Sequence, residues 1–182
     1  AINTVVNAVD KIRDTAESHD RLFIVEVMGR DSGLIALRSG IGVGAEAILI
    51  PEAKMTTEDL IERVEHGRKD KASKIIVVAE GDEAGGAYNV GQVLKEKFPH
   101  HDIRVSVLGH IQRGGSPSCA DRVLASRLGV AAVEGLLAGK SKVMAGQINK
   151  EIVFTPFSKA IKHIDAAQDT PAWLQLAEIL SL

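Results

Sequence analysis

The sequence predicts an open α/β sandwich of three layers, in which a mostly parallel sheet lies between two layers of helices. Two observations lead to this fold class: short runs of apolar, β-branched residues, and amphipathic segments that separate these runs. The runs are hydrophobic on both faces, which is typical of parallel sheets because helices cover both sides of such a sheet. Gly29 and Pro51 end two of the runs and mark them as short buried strands.

The elements follow in order along the chain. Residues 2–16 place Val5, Val9 and Ile12 on one face and so predict an amphipathic helix. The four predicted strands are Leu22 to Met28, Ala47 to Ile50, Lys74 to Ala79 and Arg104 to Leu108. The other predicted helices are Ser32 to Val43, Thr56 to Gly67 with Asp59 completing its cap, Val90 to Phe98, Ser118 to Leu137, and Thr170 to Leu180. Ile152 to Phe154 is interpreted as an edge strand or a crossing to another domain.

Length and composition exclude several classes of protein. The chain has 182 residues, which suits one domain with a fragment of a second, and 45% hydrophobic residues argue against disorder. A net charge of -2 argues against a nucleic-acid binder, and the single Cys119 permits no internal disulfide. No apolar run reaches the roughly 20 residues that span a bilayer, and no signal peptide opens the chain. We therefore expect a cytoplasmic protein with neither a membrane nor a nucleic acid as partner.

The loops that follow the strands carry the candidate chemistry. In an open parallel sheet, ligands bind outside the carboxyl ends of the strands, where helix N-termini point free N–H groups outward. Arg30 lies in the glycine turn after the first strand, Glu80 follows the third, and a flexible loop with His110 and Arg113 follows the fourth. Guanidinium and imidazole groups bind phosphate oxygens, and a carboxylate accepts hydrogen bonds from sugar hydroxyls. A phosphorylated sugar would use every one of these groups.

Plainer interpretations of the same residues stay open. Glycines after strands are common turn residues, and exposed arginines often do no more than solvate a surface. Gly42 to Glu46 precedes a strand, the reverse of a dinucleotide fingerprint, and Cys119 lacks an orienting partner beside His110. The histidines lack metal-ligand spacing, so no metal site is predicted.

Several motifs together resemble bacterial ATP-dependent 6-phosphofructokinases. They are the run from Phe23 to Arg30 with Gly33, Ile50-Pro51-Glu52, Ala79-Glu80-Gly81, and Gly109-His110-Ile111-Gln112-Arg113-Gly114-Gly115-Ser116-Pro117 followed by Asp121-Arg122. The similarity extends from Asn3 to about Lys162. It implies phosphoryl transfer from ATP to the 1-hydroxyl of fructose 6-phosphate, a step of glycolysis.

The resemblance is to the C-terminal, substrate-binding half of that family. It implies that the loops that bind ATP and Mg²⁺, and the aspartate that acts as catalytic base, belong to an N-terminal half that this sequence does not match. We therefore expect the 182 residues alone to be inactive. The alternatives are a pyrophosphate-dependent enzyme, a noncatalytic module that binds a sugar phosphate or nucleotide effector, and a phosphosugar isomerase with Glu80 or His110 as base.

The resemblance also implies particular site residues. Met28, Gly29 and Arg30 would contact fructose 6-phosphate, Glu80 would accept its hydroxyls, and His110, Ile111, Gln112 and Arg113 would form its phosphate site. Arg30 would also have a catalytic role, stabilising charge on the transferring phosphoryl group. Arg21 and Arg104 would reach across an interface to the 6-phosphate held by a neighbouring subunit of a homo-oligomer, a tetramer in the family.

An effector site for ADP or phosphoenolpyruvate is implied between subunits. Its matching residues are Arg13, Gly44, Ala45, Glu46, Lys69, Lys71, Ala72 and Ser73. The implied organisation is a substrate-binding domain at residues 1–115, a segment at 116–161 that packs on the N-terminal domain, and a return helix at 162–182.

Overall fold

The computed structural model describes residues 1–15, 21–67, 73–160 and 170–181. Within them the helices are α1 (Ile2–Asp14), α2 (Leu34–Val43), α3 (Thr57–His66), α4 (Gly86–Lys97), α5 (Cys119–Leu137), α6 (Phe157–Ala160) and α7 (Thr170–Ser181). The strands are β1 (Arg21–Val27), β2 (Ala47–Leu49), β3 (Ser73–Ala79), β4 (Asp102–Val107), β5 (Val143–Ile148) and β6 (Glu151–Pro156). A 3-10 helix covers Gly109–Arg113. The predicted α/β fold class is confirmed.

The main sheet has four parallel strands in the order β2-β3-β1-β4. Its centre is β1, where Val25 stands in register with Val77 of β3 and Ser106 of β4. Six of the seven residues of β3 and five of the seven of β1 are buried, as expected for strands covered by helices on both faces.

Each face of the sheet carries its own apolar cluster. One cluster joins Phe23 and Val25 of β1 to Val5 and Val9 of α1 and to α2, and Trp173 of α7 packs against it. The other joins Leu22 and Ile24 to helices α3 and α4 through residues such as Leu60 and Leu94. Alternate residues of one strand therefore enter opposite cores, which holds the strand ends in fixed positions.

The connections from β1 and β3 run in opposite directions. The chain leaves β1 through α2 on one face and reaches β2, on the far side of β3. It leaves β3 through α4 on the other face and reaches β4, on the far side of β1. The carboxyl ends of β1 and β3 therefore form a topological switch point, where divergent loops leave a crevice.

Two helices begin at capping boxes, and the sequence predicts the one that Thr56 and Asp59 form. Thr56 Oγ1 accepts the Asp59 N–H at the start of α3, and Ser118 Oγ accepts the Asp121 N–H at the start of α5. In each box the aspartate in turn accepts the backbone N–H of the capping residue. The Ser/Thr-x-x-Asp pattern therefore marks both helix starts within one residue.

The described residues divide into two compact units, one made of those up to Gly115 together with α7, and the other of residues 116–160. The second unit holds α5 and an antiparallel hairpin of β5 and β6. Asn149 and Lys150 both have positive φ, 50° and 69°, which makes a two-residue hairpin turn. Gly135 of α5 packs on this hairpin, since a Cβ there would lie 2.6 Å from the Phe154 ring.

Two local expectations need correction. Residues Gly109–Arg113 form a 3-10 helix instead of a flexible loop. Ile152 to Phe154 does lie in a strand, but this strand belongs to the separate two-stranded hairpin and not to the main sheet. The proposed packing of residues 116–161 on another domain stays a prediction, and positions 162–169 of the return segment lie outside the described residues. No described helix is long and apolar enough to cross a membrane.

Candidate functional site

The loop after β1 has an unusual backbone that depends on two glycines. Arg30 has φ 55°, in the left-handed region that side-chain-bearing residues rarely adopt. A Cβ at Gly29 would lie 2.2 Å from the Ser32 carbonyl oxygen, and one at Gly81 would lie 2.0 Å from the Arg30 carbonyl oxygen. The loops after β1 and β3 therefore touch at a distance that only glycine allows.

Glu80 joins these two loops directly. Its Oε1 accepts the backbone N–H groups of Arg30 at 2.7 Å and of Gly29 at 3.2 Å. The residue is exposed, and its other oxygen takes part in no hydrogen bond found among the described residues. The carboxylate thus fixes the loop that carries Arg30 and still presents one acceptor to solvent.

Gln112 joins the loop after β1 to the 3-10 helix after β4. Its Oε1 accepts the Met28 N–H at 2.9 Å, and its Nε2 donates to the Met28 carbonyl oxygen at 3.4 Å. Gln112 is only 1% exposed, whereas its neighbours His110, Ile111 and Arg113 are exposed. Its side chain is therefore committed to the protein backbone.

Three cationic or titratable side chains of this edge face solvent. Arg30, His110 and Arg113 are exposed, and their side chains form no hydrogen bond or ion pair with the parts of the chain that the structure describes. Their loops are linked through Glu80 and Gln112 at the switch point. The edge therefore offers unneutralised donors that suit an anionic ligand.

The helix N-termini at this edge differ from the expectation of free N–H groups. Glu52 accepts the Gly33 N–H at 2.9 and 3.0 Å at the start of α2, and Glu26 accepts the Ala87 N–H at 2.8 Å at the start of α4. Each of these internal carboxylates therefore satisfies one N–H group that was expected to be free for an anionic ligand.

Arg21 and Arg104 lie away from this edge. Arg21 begins β1, roughly 23 Å of strand before Met28 by the usual rise per residue. Arg104 is the third of six residues of β4, roughly 16 Å of chain before the 3-10 helix that begins at Gly109. Both pair with Asp102, whose carboxylate lies 3.2 Å from Arg21 Nε and 2.9 Å from Arg104 Nε. The two arginines are therefore brought together with each other and not with Arg30, His110 or Arg113.

The described residues of the implied effector site also gather at the amino end of the sheet. Arg13 donates to the Val43 carbonyl oxygen at 2.5 Å, where α2 ends, and Gly44 follows with φ 61°. Glu46 is buried and accepts the Ile75 N–H at 2.5 Å, close to Ser73 at the start of β3. Ala45 lies between Gly44 and Glu46, and Lys69, Lys71 and Ala72 lie outside the described residues.

Sequence reasoning missed the organising roles of Glu26, Glu52 and Asp102. Glu26 and Glu52 accept hydrogen bonds from residues 61 and 19 positions away. Asp102 pairs with the nearby Arg104 and also with Arg21, 81 positions away. The position of Glu26 within an otherwise apolar strand was the one available signal, because a carboxylate there needs a partner.

A separate open cavity of about 680 Å³ lies at the β2 edge, between α3 and α7. Its lining includes Ile48, Arg63 and Leu174, and none of the predicted site residues. Among the described residues, no three of His, Cys, Asp or Glu cluster closely enough to hold a metal ion.

The fold and the switch-point cluster define an α/β protein of the kind that binds its ligand at the carboxyl ends of parallel strands. A family model described as phosphofructokinase matches residues 1–136. The chain belongs to the phosphofructokinase family.

Curated relatives named ATP-dependent 6-phosphofructokinase share much of the sequence. The protein of Cytophaga hutchinsonii is 56% identical over 88% of this chain and 49% of its own length. A protein of Thermus thermophilus, named ATP-dependent 6-phosphofructokinase 1, is 46% identical over 100% of this chain and 56% of its own length. The chain spans about half the length of the curated relatives it matches.

Solved structures show the same fold. Phosphofructokinase from Saccharomyces cerevisiae matches with a TM-score of 0.76 and 29% identity over 98% of this chain and 24% of its own. A pyrophosphate-dependent phosphofructokinase from Marinobacter aquaeolei matches with a TM-score of 0.74 and 25% identity, over 97% and 52%.

Proposed function

We propose that this chain supplies the fructose 6-phosphate site of an ATP-dependent 6-phosphofructokinase, which transfers a phosphoryl group from ATP to the 1-hydroxyl of the sugar. Relatives at 46 to 56% identity carry that name, which favours ATP over pyrophosphate as the donor. The chain's partner is then a sugar phosphate.

The exposed cluster of Arg30, His110 and Arg113 is the observation that carries this proposal. The three side chains lack partners in the described structure, and their loops are interlocked by Glu80 and Gln112. A guanidinium binds two phosphate oxygens at once, and an imidazole adds a further donor. In this arrangement His110 and Arg113 bind the 6-phosphate, and the loop of Met28, Gly29 and Arg30 lies along the sugar.

Glu80 and Arg30 act on the sugar and on the reacting phosphoryl group. The second carboxylate oxygen of Glu80 accepts a sugar hydroxyl, which orients the acceptor. Arg30 stabilises negative charge that develops on the transferred phosphoryl group, because preorganised donors act most strongly where charge appears in the transition state. The described residues include no cluster of His, Cys, Asp or Glu that fits Mg²⁺.

The remaining predicted residues belong to contacts with a second copy of the chain. Arg21 and Arg104 reach the 6-phosphate held by a neighbouring subunit, which suits their joint position around Asp102 at the opposite end of the sheet. Arg13, Gly44, Ala45, Glu46 and Ser73, with Lys69, Lys71 and Ala72, form the site for an ADP or phosphoenolpyruvate effector.

Titration calorimetry with fructose 6-phosphate tests the proposal. We expect Arg113→Ala to weaken binding by about 10- to 100-fold, the usual loss when a charge-assisted hydrogen bond is removed. Lys97→Ala, at the exposed C-terminal turn of α4, removes the same charge far from the site and should leave affinity unchanged at matched salt. Equal affinity of the wild type and Arg113→Ala would show that the phosphate assignment is wrong.

A further inference from the structure

We propose that Gln112 is a positioning residue that holds the loop after β1 and the 3-10 helix after β4 at the spacing a bound sugar phosphate requires. The inference rests on the proposed function, since that function supplies a ligand that spans both segments. It differs from a contact role, because it gives the Gln112 side chain no direct interaction with the ligand.

Gln112 is buried, whereas its neighbours in the 3-10 helix are exposed. Its side chain is 1% exposed, while Ile111 beside it is 63% exposed and His110 and Arg113 are exposed as well. The 3-10 helix thus turns one amide inward and three side chains outward. A ligand in the crevice can reach the outward side chains but not the Gln112 amide.

The hydrogen bonds of Gln112 explain why the position suits an amide. Met28 comes directly after Val27, the last residue of β1 in the sheet ladder, so its N–H and carbonyl need partners elsewhere. The Gln112 amide offers one acceptor and one donor, and these meet the Met28 N–H at 2.9 Å and the Met28 carbonyl at 3.4 Å. A leucine side chain would leave both groups unpaired, and a carboxylate would lack the donor.

The pairing fixes a spacing between two groups of ligand contacts. Met28 leads directly to Gly29 and Arg30, and Gln112 lies between His110 and Arg113. Loss of the pair would therefore shift Arg30 relative to His110 and Arg113. A ligand that touches both groups loses affinity, and a small anion that touches only one group does not.

Two ligands of different size distinguish a positioning role of Gln112 from a general role in folding. Gln112→Leu should weaken fructose 6-phosphate binding by about tenfold, the usual effect of a lost buried hydrogen-bonded pair. Inorganic phosphate, followed by ligand-observed NMR, should bind Gln112→Leu within about twofold of the wild type. Gln92→Leu makes the same chemical change at an exposed position of α4 and should alter neither affinity. Equal losses for both probes would indicate a purely structural role and overturn the proposal.

A second variant keeps the test valid if Gln112→Leu fails to fold. Gln112→Glu restores both hydrogen bonds when its new carboxyl is protonated and lacks the donor when it is ionised; burial raises the pKa of such a group. Relative to the wild type at the same pH, its fructose 6-phosphate affinity should fall by up to about tenfold as rising pH ionises the carboxyl, while its affinity for inorganic phosphate should stay within about twofold of the wild type. A ratio that does not change with pH would contradict the proposal.

The wild-type measurements distinguish the two possible failures. If the wild type does not bind fructose 6-phosphate, the proposed function fails. If the wild type binds it and both Gln112 variants bind equally well at every pH, only the positioning role fails.

Discussion

At the scale of single residues, the backbone of Arg30 is the feature that most distinguishes the candidate site. Its φ of 55° raises the conformational free energy of the backbone by about 1 kcal/mol, because Arg30 carries a side chain. The Arg30 N–H donates to Glu80 at 2.7 Å, and Gly81 lets the Arg30 carbonyl approach. Such local strain persists only where the surroundings hold it, so the guanidinium starts from a fixed backbone.

Gly81→Ala tests this close approach. The new Cβ would lie 2.0 Å from the Arg30 carbonyl oxygen, a backbone atom that can move only with its loop. We expect the free energy of unfolding to fall by about 1–3 kcal/mol, as for overpacked sites, together with weaker fructose 6-phosphate binding.

Gly42→Ala is the matched control, because a Cβ at this exposed α2 position has its nearest neighbour at 3.7 Å. It should raise the free energy of unfolding by about 0.5–1 kcal/mol through helix propensity. Urea denaturation measures both changes, and an unaltered stability of Gly81→Ala would contradict the close contact of the two loops.

At the scale of elements, the capping boxes set where α3 and α5 begin. Hydrogen bonds from the Ser118 hydroxyl and backbone N–H lower the pKa of Asp121 below its ordinary value, and the corresponding groups of Thr56 do the same for Asp59. Both carboxylates are fully exposed, so the effect is local to the helix starts. It makes the ionised aspartate part of each cap.

The pH dependence of the α5 cap follows from the direction of this shift. Because the pKa of Asp121 is lower in the folded state, its stabilising contribution is complete above the ordinary aspartate pKa and is lost as pH falls through the folded pKa. In Ser118→Ala the carboxyl should titrate at higher pH, closer to the ordinary value. NMR titration of the carboxyl carbon measures this, and identical titration curves for wild type and variant would refute the assignment.

The strands were predictable from sequence, and the links between their loops were not. Runs such as Lys74 to Ala79 are apolar on both faces, and the observed β3 begins one residue earlier. The pairings of Glu26 with Ala87 and Gln112 with Met28 join residues 61 and 84 positions apart, for which local patterns carry no signal. The β5–β6 hairpin was missed because Asn149-Lys150 lacks the glycine that usually marks such a turn.

At the scale of the whole molecule, the predicted ligand contacts divide between the two ends of one sheet. Arg30, His110 and Arg113 lie at the carboxyl end, and Arg21 and Arg104 lie at the amino end around Asp102. One copy of the chain cannot place both groups on one phosphate. The proposed function therefore requires a symmetric assembly in which each copy contributes to the site of another.

Complementation between two inactive variants tests this assembly. In the complete enzyme, Arg113→Ala and Arg104→Ala should each weaken fructose 6-phosphate binding by about 10- to 100-fold. When the two are co-expressed, about a quarter of the sites should combine an intact Arg113 with an intact Arg104 from another copy and bind normally. Calorimetry on the mixed assembly measures the number of sites that bind fructose 6-phosphate with normal affinity. If this number is no larger than expected from the two variants measured separately, the site is not shared between copies.

The first unit is discontinuous, since residues 116–165 interrupt it and α7 returns to pack Trp173, Leu174 and Ala177 against its core. On the ribosome, the whole of the second unit emerges before the segment that covers this core. A nascent chain halted after β6 would carry an uncovered patch of apolar surface and attract chaperones. The first unit therefore cannot finish folding when its last strand, β4, has left the ribosome. It finishes only after α7 has also emerged and covers the core.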